Sequence, residues 1–571
     1  MSQSTLSETS QRIFSMGKIS AGMNTADIIV EKLIAWEVKF IFSLVRDGIN
    51  PIYEALRKRK DEITLITVRH EEAAAFMASG FAKSTGQLAV CLATTGPGAV
   101  HLMNGLYDAA MESVPVLVIT GIVDHDLLGT QFIQEVDTVT MLNDITVYNQ
   151  AITGPVHART VVDLACRSAI MMNGVSHIAV PTDIQQQKLK EDEHSKKGGT
   201  LVGSSGFTKK IDTAGKEELL QAAALLNDSN KIMILAGKGA LDASDELEEI
   251  AEKLGAPVAK ALLGKAVLPD DSPYTTGGIG RLGTLPSKEM MEDCDMLLIA
   301  GSTMPYLEYY PKPGQAKGIQ IDHDPRRIGI RFPVDIGLQG DIKATLRALM
   351  PYINYRTDRS FLELAQQRMQ SWNSLRAKIE TDHTTPVQPA FLVSLVSRLA
   401  KKDAVITIDT GAHTVFTARH FQVKKEQQII ACGTLASMGP ALSYGIAAQL
   451  AWPGRQCIVM TGDGGLTMLM GELATAVLYS LPVKIIVFKN NQLAMDRFEQ
   501  EEIGGKKYGI DLQPIDFAMI ADACGAKGFT CNEPAELDMV IKKAFAMDGP
   551  VLVQVQVDAD AVPGPPEKMK S

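Results

Sequence analysis

No apolar run in this chain approaches the roughly 20 residues that a membrane span needs; runs such as Pro115 to Val123 and Lys484 to Phe488 are strand-length. A spanning helix is not expected. Positive charge is not in excess either, since 56 Lys and Arg face 66 Asp and Glu for a net charge of −10. No basic field draws such a chain to phosphate backbones or anionic lipid, so nucleic acid is not an expected partner. Paired cysteines are missing. Cys91, Cys166, Cys294, Cys432, Cys457, Cys524 and Cys531 are odd in number and never spaced C-x-x-C, which reads as reduced thiols and points to a cytoplasmic protein. Residues 1 to 22 are Ser/Thr-rich but lack the apolar block of a secretion signal. They are expected to form a flexible extension, with a transit peptide as the alternative. The absence of a short-period repeat leaves solenoids and propellers unsupported.

What is present is material for buried sheets: 571 residues, 46% apolar and 21% charged, enough for roughly three domains of ordinary size. Short β-branched runs alternate with helix-length amphipathic segments, the pattern of parallel sheets covered by helices. The expected class is α/β, with doubly wound parallel sheets. Lys188 to about Lys216 and Ile353 to about Pro389 break the pattern with charge runs followed by Gly/Ser or Pro, which compose linkers. The expected division is an extension over 1–22, a first domain over 23–190, a linker over 191–216, a central domain over 217–352, a linker over 353–388 and a last domain over 389–571.

In the last third the run QCIVM (456 to 460) leads into Thr461-Gly462-Asp463-Gly464-Gly465 and a helical segment. Glycines there let backbone N–H groups approach an anion at a helix N-terminus, where the dipole also favours negative charge. An aspartate facing a diphosphate would repel it unless a cation lay between. A second run, VKIIVF (483 to 488), ends at Lys489-Asn490-Asn491-Gln492. A carboxylate from Asp463, an amide oxygen from Asn490 and a backbone carbonyl at Gln492 are the hard donors that Mg²⁺ prefers. The two strand ends are expected to be neighbours in one sheet. Singly, each motif is an ordinary strand-to-helix turn. Together, Gly-Asp-Gly and the asparagine 27 residues on resemble the signature of thiamine-diphosphate enzymes.

That resemblance carries further. GTLASMGPAL (433 to 442) resembles the segment whose apolar residue props the bent cofactor, here Met438; read without the resemblance, Met438 is core. IDTGAHTVF (408 to 416) resembles the segment that meets the diphosphate from the other side, through Gly411 and His413, opposite Gly462, Gly464 and Gly465. In the first third, TVRHEEAAAFMASGFAKSTG (67 to 86) is a strand end followed by an Ala-rich helix that Glu71 opens. A glutamate in a first helical turn ordinarily just suits the dipole, and Ala74 stands where an H-E-x-x-H zinc helix needs its second histidine. The resemblance implies that Glu71 is catalytic, hydrogen-bonding the cofactor's aminopyrimidine ring, while Glu72 stays structural. TTGPGAVHLMNGLYDA (94 to 109) resembles the family's loop over the active site, with Gly96 and Gly98 as cofactor-binding candidates, and is also a tight turn before a helix. Because Glu71 and Asp463 fall in different domains, the resemblance implies a homodimer or homotetramer with active sites at the subunit interface and an inactive monomer.

The middle third resembles the FAD-binding segments of the pyruvate oxidase and acetolactate synthase branch. IMILAGKGA (232 to 240), GGIGRLG (277 to 283), LLIAGSTMPY (297 to 306), IQIDHDP (319 to 325) and QGDI (339 to 342) follow in order. The resemblance makes Gly237, Gly239, Gly280, Arg281, Gly301, Ser302, Asp322 and Asp341 FAD candidates. Gly237 and Gly239 after a strand suit a pyrophosphate, and Asp322 suits ribose hydroxyls. The G-x-G-x-x-G at Gly278, Gly280 and Gly283 is a weak motif, no strand being expected directly before it.

Likeness over about residues 24 to 560 is to bacterial pyruvate oxidases and pyruvate:quinone oxidoreductases, carried by VRHEEAAAF, GPGAVHLMNGLYDA, AVLPDDSPY and NNQLAMDRFEQEE. It implies oxidative decarboxylation of a 2-oxo acid, pyruvate foremost, to acetate or acetyl phosphate with electrons passed to FAD. The alternative is a carboligase of acetolactate synthase type with a structural FAD; a non-enzymatic scaffold is a third reading, against which Glu71 stands. Three departures bear on substrate and acceptor. Before Gln134, itself a catalytic candidate, aliphatic Ile133 replaces an aromatic residue. Asp496, in the expected substrate pocket with Ile133 and Glu499, replaces an aliphatic one. The ending VPGPPEKMKS has no apolar face, so membrane docking by an amphipathic tail is not expected.

Overall fold

Three stretches of the chain each place six short strands in one sheet, and every pairing is parallel, because each strand returns through a crossover. The computed structural model describes residues 19–191, 203–204 and 211–561. The expected extension up to residue 18, most of the first candidate linker and the tail from 562 lie outside the described residues. The chain divides into two compact units. The first takes in the chain to Lys209 with Thr434–Pro453 and Leu469–Leu481; the second takes in the remainder.

In the first unit β1 (Phe40–Ser43), β2 (Thr64–Thr67), β3 (Ala89–Ala93), β4 (Val116–Ile122), β5 (Thr146–Ala151) and β6 (Val175–Pro181) pair in the order β2-β1-β3-β4-β6-β5. Register sets Ile41 opposite Val90 and Val90 opposite Leu117. The central β3, β4 and β6 are buried throughout, as expected of strands covered on both faces. The helix Glu71–Thr85 follows β2; His70 caps its start by accepting from the Glu72 N–H at 3.1 Å, and Gly86 ends it at φ 68°. Small residues let other helices approach it closely. A Cβ at Gly105 would stand 2.6 Å from Ala75 Cβ, and one at Gly80 would stand 2.7 Å from the Tyr444 ring. The helices Met103–Met111 and Pro440–Ala451 therefore clamp it from two sides, and filling either glycine costs about 1–3 kcal/mol. A buried polar knot locks the clamp: Asp108 accepts from Tyr444 at 2.6 Å, Ser79 at 2.5 Å and Lys83 at 2.8 Å.

The second unit holds two sheets. β7 (Ile232–Ala236), β8 (Val258–Lys260), β9 (Thr275–Gly278), β10 (Met296–Ala300), β11 (Lys317–Asp322) and β12 (Ile336–Gln339) pair in the order β12-β11-β10-β7-β8-β9. Alternate residues serve different cores, Ile234 and Leu298 on one face, Leu235 and Ile299 on the other, the period of two that a doubly covered strand shows. β9 runs straight into Gly278, which corrects the expectation that no strand precedes that motif. Its sequence, TTGG, has no apolar run by which a strand is recognised. Within the second candidate linker, Ser360–Glu380 is a helix of 21 residues that buries Phe361, Leu362, Ala365 and Trp372.

β13 (Val405–Ile408), β14 (Gln428–Ala431), β15 (Cys457–Gly462), β16 (Lys484–Lys489), β17 (Lys527–Cys531) and β18 (Val551–Gln556) pair in the order β14-β13-β15-β16-β18-β17. Numbered from its own first strand, this sheet has the strand order of the first, 2-1-3-4-6-5; the middle sheet, numbered from β7 and read from its β9 edge, has the order 3-2-1-4-5-6 of a doubly wound sheet. No helix among the described residues is long and apolar enough to cross a membrane.

Candidate active site

β15 and β16 are neighbours, with Gly462 opposite Phe488, so the Gly-Asp-Gly and Lys-Asn-Asn-Gln turns leave the sheet side by side, as their sequences predict. Asp463 Oδ2 accepts from the N–H groups of Asn490 at 2.9 Å and Asn491 at 2.6 Å, and Oδ1 from Gly464 at 2.9 Å. Burial pushes this carboxyl up from its ordinary range, and the three backbone donors pull it back. Asn490 Oδ1 accepts from the Gln492 N–H at 3.0 Å, and Asn491 takes the left-handed conformation, φ 56°, that the turn requires. The carboxylate, the amide oxygen and the Gln492 carbonyl form an all-oxygen set on adjacent loops, which fits Mg²⁺.

Asp409, within the IDTGAHTVF segment but not a candidate there, follows β13 beside them. Its Oδ2 accepts from the Thr461 hydroxyl at 2.9 Å, tying β13 to β15 where the Gly-Asp-Gly turn begins. A signal for it does exist: an acidic residue closing the β-branched run VITI, two residues before a glycine. Gly411 precedes the helix Ala412–His420, and a Cβ at Gly462 would stand 3.1 Å from His413 Nδ1. His413 is buried, which drives its pKa down to about 4, and its Nε2 has no hydrogen-bond partner. A glycine-rich helix start suits a diphosphate, and the orphaned Nε2 beside it would complete its bonding by donating to that anion when the ring carries a proton there.

In the first unit Glu71 opens its helix at the end of β2 and is 4% exposed. Its Oε2 lies 3.0 Å from His101 Nδ1, and a Cβ at Gly98 would lie 3.4 Å from Oε1. The turn before Glu71 is pinned by Glu472, whose Oε1 accepts from the N–H groups of Arg69 at 2.9 Å and His70 at 3.2 Å; burial raises this carboxyl too. No sequence signal marks Glu472, because its partners lie some 400 residues away in the chain. Glu72 accepts from Asn104 Nδ2 at 2.6 Å, and the same nitrogen reaches Ser437 Oγ at 2.8 Å. The segment of half-buried Met438 is thereby joined to the Glu71 helix. Gly96 takes φ 58°, and a Cβ there would stand 2.6 Å from the Gln134 carbonyl oxygen. Thr95 donates to Gln134 Oε1 at 3.1 Å, so the Gly-Pro-Gly loop and Gln134 are brought together. Gln134 itself sits at φ 61°, and its neighbour Ile133 is 75% exposed. His70, Glu71 and His101 bring their ligand atoms within 4.8 Å of one another, a grouping that the H-E-x-x-H test cannot see because His101 arrives from another helix.

The strand order of the middle sheet reverses between β7 and β10, the point at which doubly wound sheets bind ligands. Gly237, Gly301, Ser302 and Asp322 all follow or end strands at that edge. Cβ atoms at Gly237 and Gly239 would stand 2.6 Å from Ser302 Cβ and 2.9 Å from Gly301 Cα, so glycine is what allows the two loops to touch. The N–H groups of Gly237 and Gly239 are committed to the carbonyls of Ala300 at 2.9 Å and Gly301 at 3.0 Å. Buried Asp322 accepts from the Asp324 N–H at 3.0 Å. Asp341 caps the helix Ile342–Leu349 through the Ala344 N–H at 2.8 Å, a post that accounts for it without a ligand. Gly280, at φ 92°, and Arg281 lie in the loop after β9. Arg281 pairs with Glu502 at 2.7 Å, on the helix Ala494–Glu502 that also carries exposed Asp496 and Glu499.

Residues 23–141 match the family described as thiamine pyrophosphate enzyme, N-terminal TPP binding domain; residues 219–349 match its central domain and 409–555 its C-terminal TPP binding domain. The chain is 38% identical over 529 residues to a protein of Bacillus subtilis named as thiamine pyrophosphate-containing, YdaP, covering 93% of this chain and 91% of that one. It is 30% identical over 546 residues to the pyruvate oxidase of Lactiplantibacillus plantarum, covering 95% and 90%. To the acetolactate synthase isozyme 1 large subunit of Escherichia coli it is 28% identical over 551 residues, 94% of each. Fold and site together define a three-domain α/β enzyme that works with thiamine diphosphate. The chain belongs to the thiamine pyrophosphate enzymes, and its three sheets match the three α/β domains of that family.

Proposed function

We propose that the protein catalyses the thiamine-diphosphate-dependent oxidative decarboxylation of a 2-oxo acid, pyruvate foremost, to acetate or acetyl phosphate, with electrons passed to FAD. The observation that carries the reading is Asp463 turned onto the backbone of Asn490 at 2.9 Å, an oxygen donor set for Mg²⁺ beside the orphaned Nε2 of His413. Thiamine diphosphate, when bound, supplies the electron sink that decarboxylation needs. Asp463, Asn490 and the Gln492 carbonyl would hold the metal, with Gly411, His413, Gly462, Gly464 and Gly465 around the diphosphate and Met438 beneath the rings. Glu71 would hold the aminopyrimidine and move a proton there, and Gln134 would present its amide to the substrate. A flavin at the switch point would be held by Ser302, Asp322 and Arg281, since the Gly237 and Gly239 amides are already engaged. Asp496 is exposed in the single chain, which leaves its carboxylate room to turn away from that of a 2-oxo acid.

The reading includes a pyrimidine-binding domain over 23–190, an FAD-type domain over 217–352 and a diphosphate-binding domain over 389–571, in a cytoplasmic homodimer or homotetramer whose sites take residues from two chains. A second reading, acetolactate-type carboligation with FAD in a structural role, is supported by the likeness to acetolactate synthase over 94% of the chain. Anaerobic mixing of the protein with Mg²⁺, thiamine diphosphate, FAD and pyruvate separates the two. Bleaching of the flavin absorbance is the expected result. Condensation product without bleaching would favour the carboligase, and neither would mean that pyruvate is not the substrate.

A further inference from the structure

We propose that His101 is a proton relay between Glu71 and the surrounding solution; the proposal rests on the reading of Glu71 as the group that activates thiamine diphosphate. The Glu71 side chain is 5% exposed, and a buried carboxylate that moves a proton in every turnover needs a route by which to exchange it. His101 supplies one. Its Nδ1 stands 3.0 Å from Glu71 Oε2, within proton-transfer reach, and its side chain is 45% exposed in the single chain. The other carboxylate oxygen, Oε1, faces Gly98, which brings no side chain of its own.

His70 fixes the geometry without joining the path. Its ring stacks on His101, centroids 4.6 Å apart and planes 29° apart. Its Nδ1 accepts from the Glu72 N–H, so the ring's proton sits on Nε2, and Glu72 itself lies 4.0 Å from that Nδ1. The ring that bridges to Glu71 is therefore His101 alone, held in plane by its neighbour. In the transfer, a proton on Glu71 Oε2 passes to the lone pair on His101 Nδ1, and the imidazolium releases its Nε2 proton to water. The ring is left in the Nδ1–H form, donating to the regenerated carboxylate. One proton enters, one leaves, and no electrons change hands. An imidazole is the side chain suited to this near neutral pH.

The test measures deuterium exchange at the thiazolium C2 of thiamine diphosphate bound to the Mg²⁺ holoenzyme. His101→Asn, which can hold Glu71 by a hydrogen bond but cannot relay, is expected to slow exchange about ten-fold or more, with free imidazole restoring it in proportion to concentration. Should that variant fail to fold, judged by circular dichroism, His101→Gln takes its place. A cofactor-free readout accompanies it: the ¹⁵N spectrum of His101 should carry the signature of an Nδ1–H bonded to carboxylate, lost in Glu71→Ala. Wild-type exchange in His101→Asn, or slowed exchange indifferent to imidazole, would overturn the relay. Normal exchange in Glu71→Gln would overturn instead the reading on which it rests.

Discussion

The first and third sheets share one strand order, and in both the loop after the third strand opens a helix with Gly-x-Gly, yet the first reads Gly96-Pro97-Gly98 and the third Gly462-Asp463-Gly464. Proline at a first helical turn is pre-shaped for the helix and brings no charge. The first loop accordingly packs on Gln134, while the third turns a carboxylate onto the amides of Asn490 and Asn491. Topology supplies the place, the carboxyl edge at a reversal of strand order, and one side chain decides what is held there. The acid in the first sheet sits instead at the end of β2, as Glu71, where it is aimed by Glu472 rather than by a metal-binding turn.

Removing the acid of each sheet tests that division of labour. Glu71→Gln should lower turnover about 10²–10⁴-fold while leaving Mg²⁺ and diphosphate binding nearly intact by calorimetry; retained turnover would mean that the first sheet's acid is not the proton carrier. Asp463→Ala should do the reverse, weakening metal-dependent cofactor binding by about 100-fold or more, whereas Pro97→Asp should create no second metal site because the first sheet has no counterpart of Asn490. If the two halves serve one site across chains, co-expressing Glu71→Gln with Asp463→Ala restores turnover that neither variant has alone.

Smaller effects sharpen the contrast. His177, buried on β6, is held to about 3 by burial, where β18 has Val553 at the same step. Its pKa is lower in the folded chain than in the unfolded one, so its contribution is complete above the ordinary histidine range and is lost as pH falls from there toward 3. Between pH 7 and 5 this amounts to roughly 2 kcal/mol, which urea titrations of wild type and His177→Asn should resolve as a shallower acid loss in the variant. Smaller still is Gly96→Ala, which forces φ 58° and a clash with the Gln134 carbonyl and should cost about 1–2 kcal/mol of stability. Gly462→Ala meets only the His413 ring at 3.1 Å and should cost less, while impairing cofactor binding more.

Much of this is legible in the sequence because it is local. The alternation of β-branched runs and amphipathic segments announces parallel sheets, and QCIVM followed by Thr-Gly-Asp-Gly-Gly puts Asp463 at a strand end by pattern alone. β9 is not legible, because TTGG carries no apolar period and pairs only by grace of β8. Asp341 is a ligand candidate by resemblance, and its Ala344 cap shows how an N-cap and a binding aspartate look alike in sequence.

By itself the sequence determined the sheets, the helix that Glu71 opens, and the pairing of Asp463 with Asn490, since each follows from hydrophobic period or from a motif within about thirty residues. Only the tertiary structure decided what surrounds them. Glu472 beneath the Arg69–His70 turn, Asp409 beside Thr461, and His101 against Glu71 are contacts between segments whose separation in the chain carries no signal. Packing brings such groups together because each must satisfy its polar atoms once buried, and that requirement is met in space rather than along the chain.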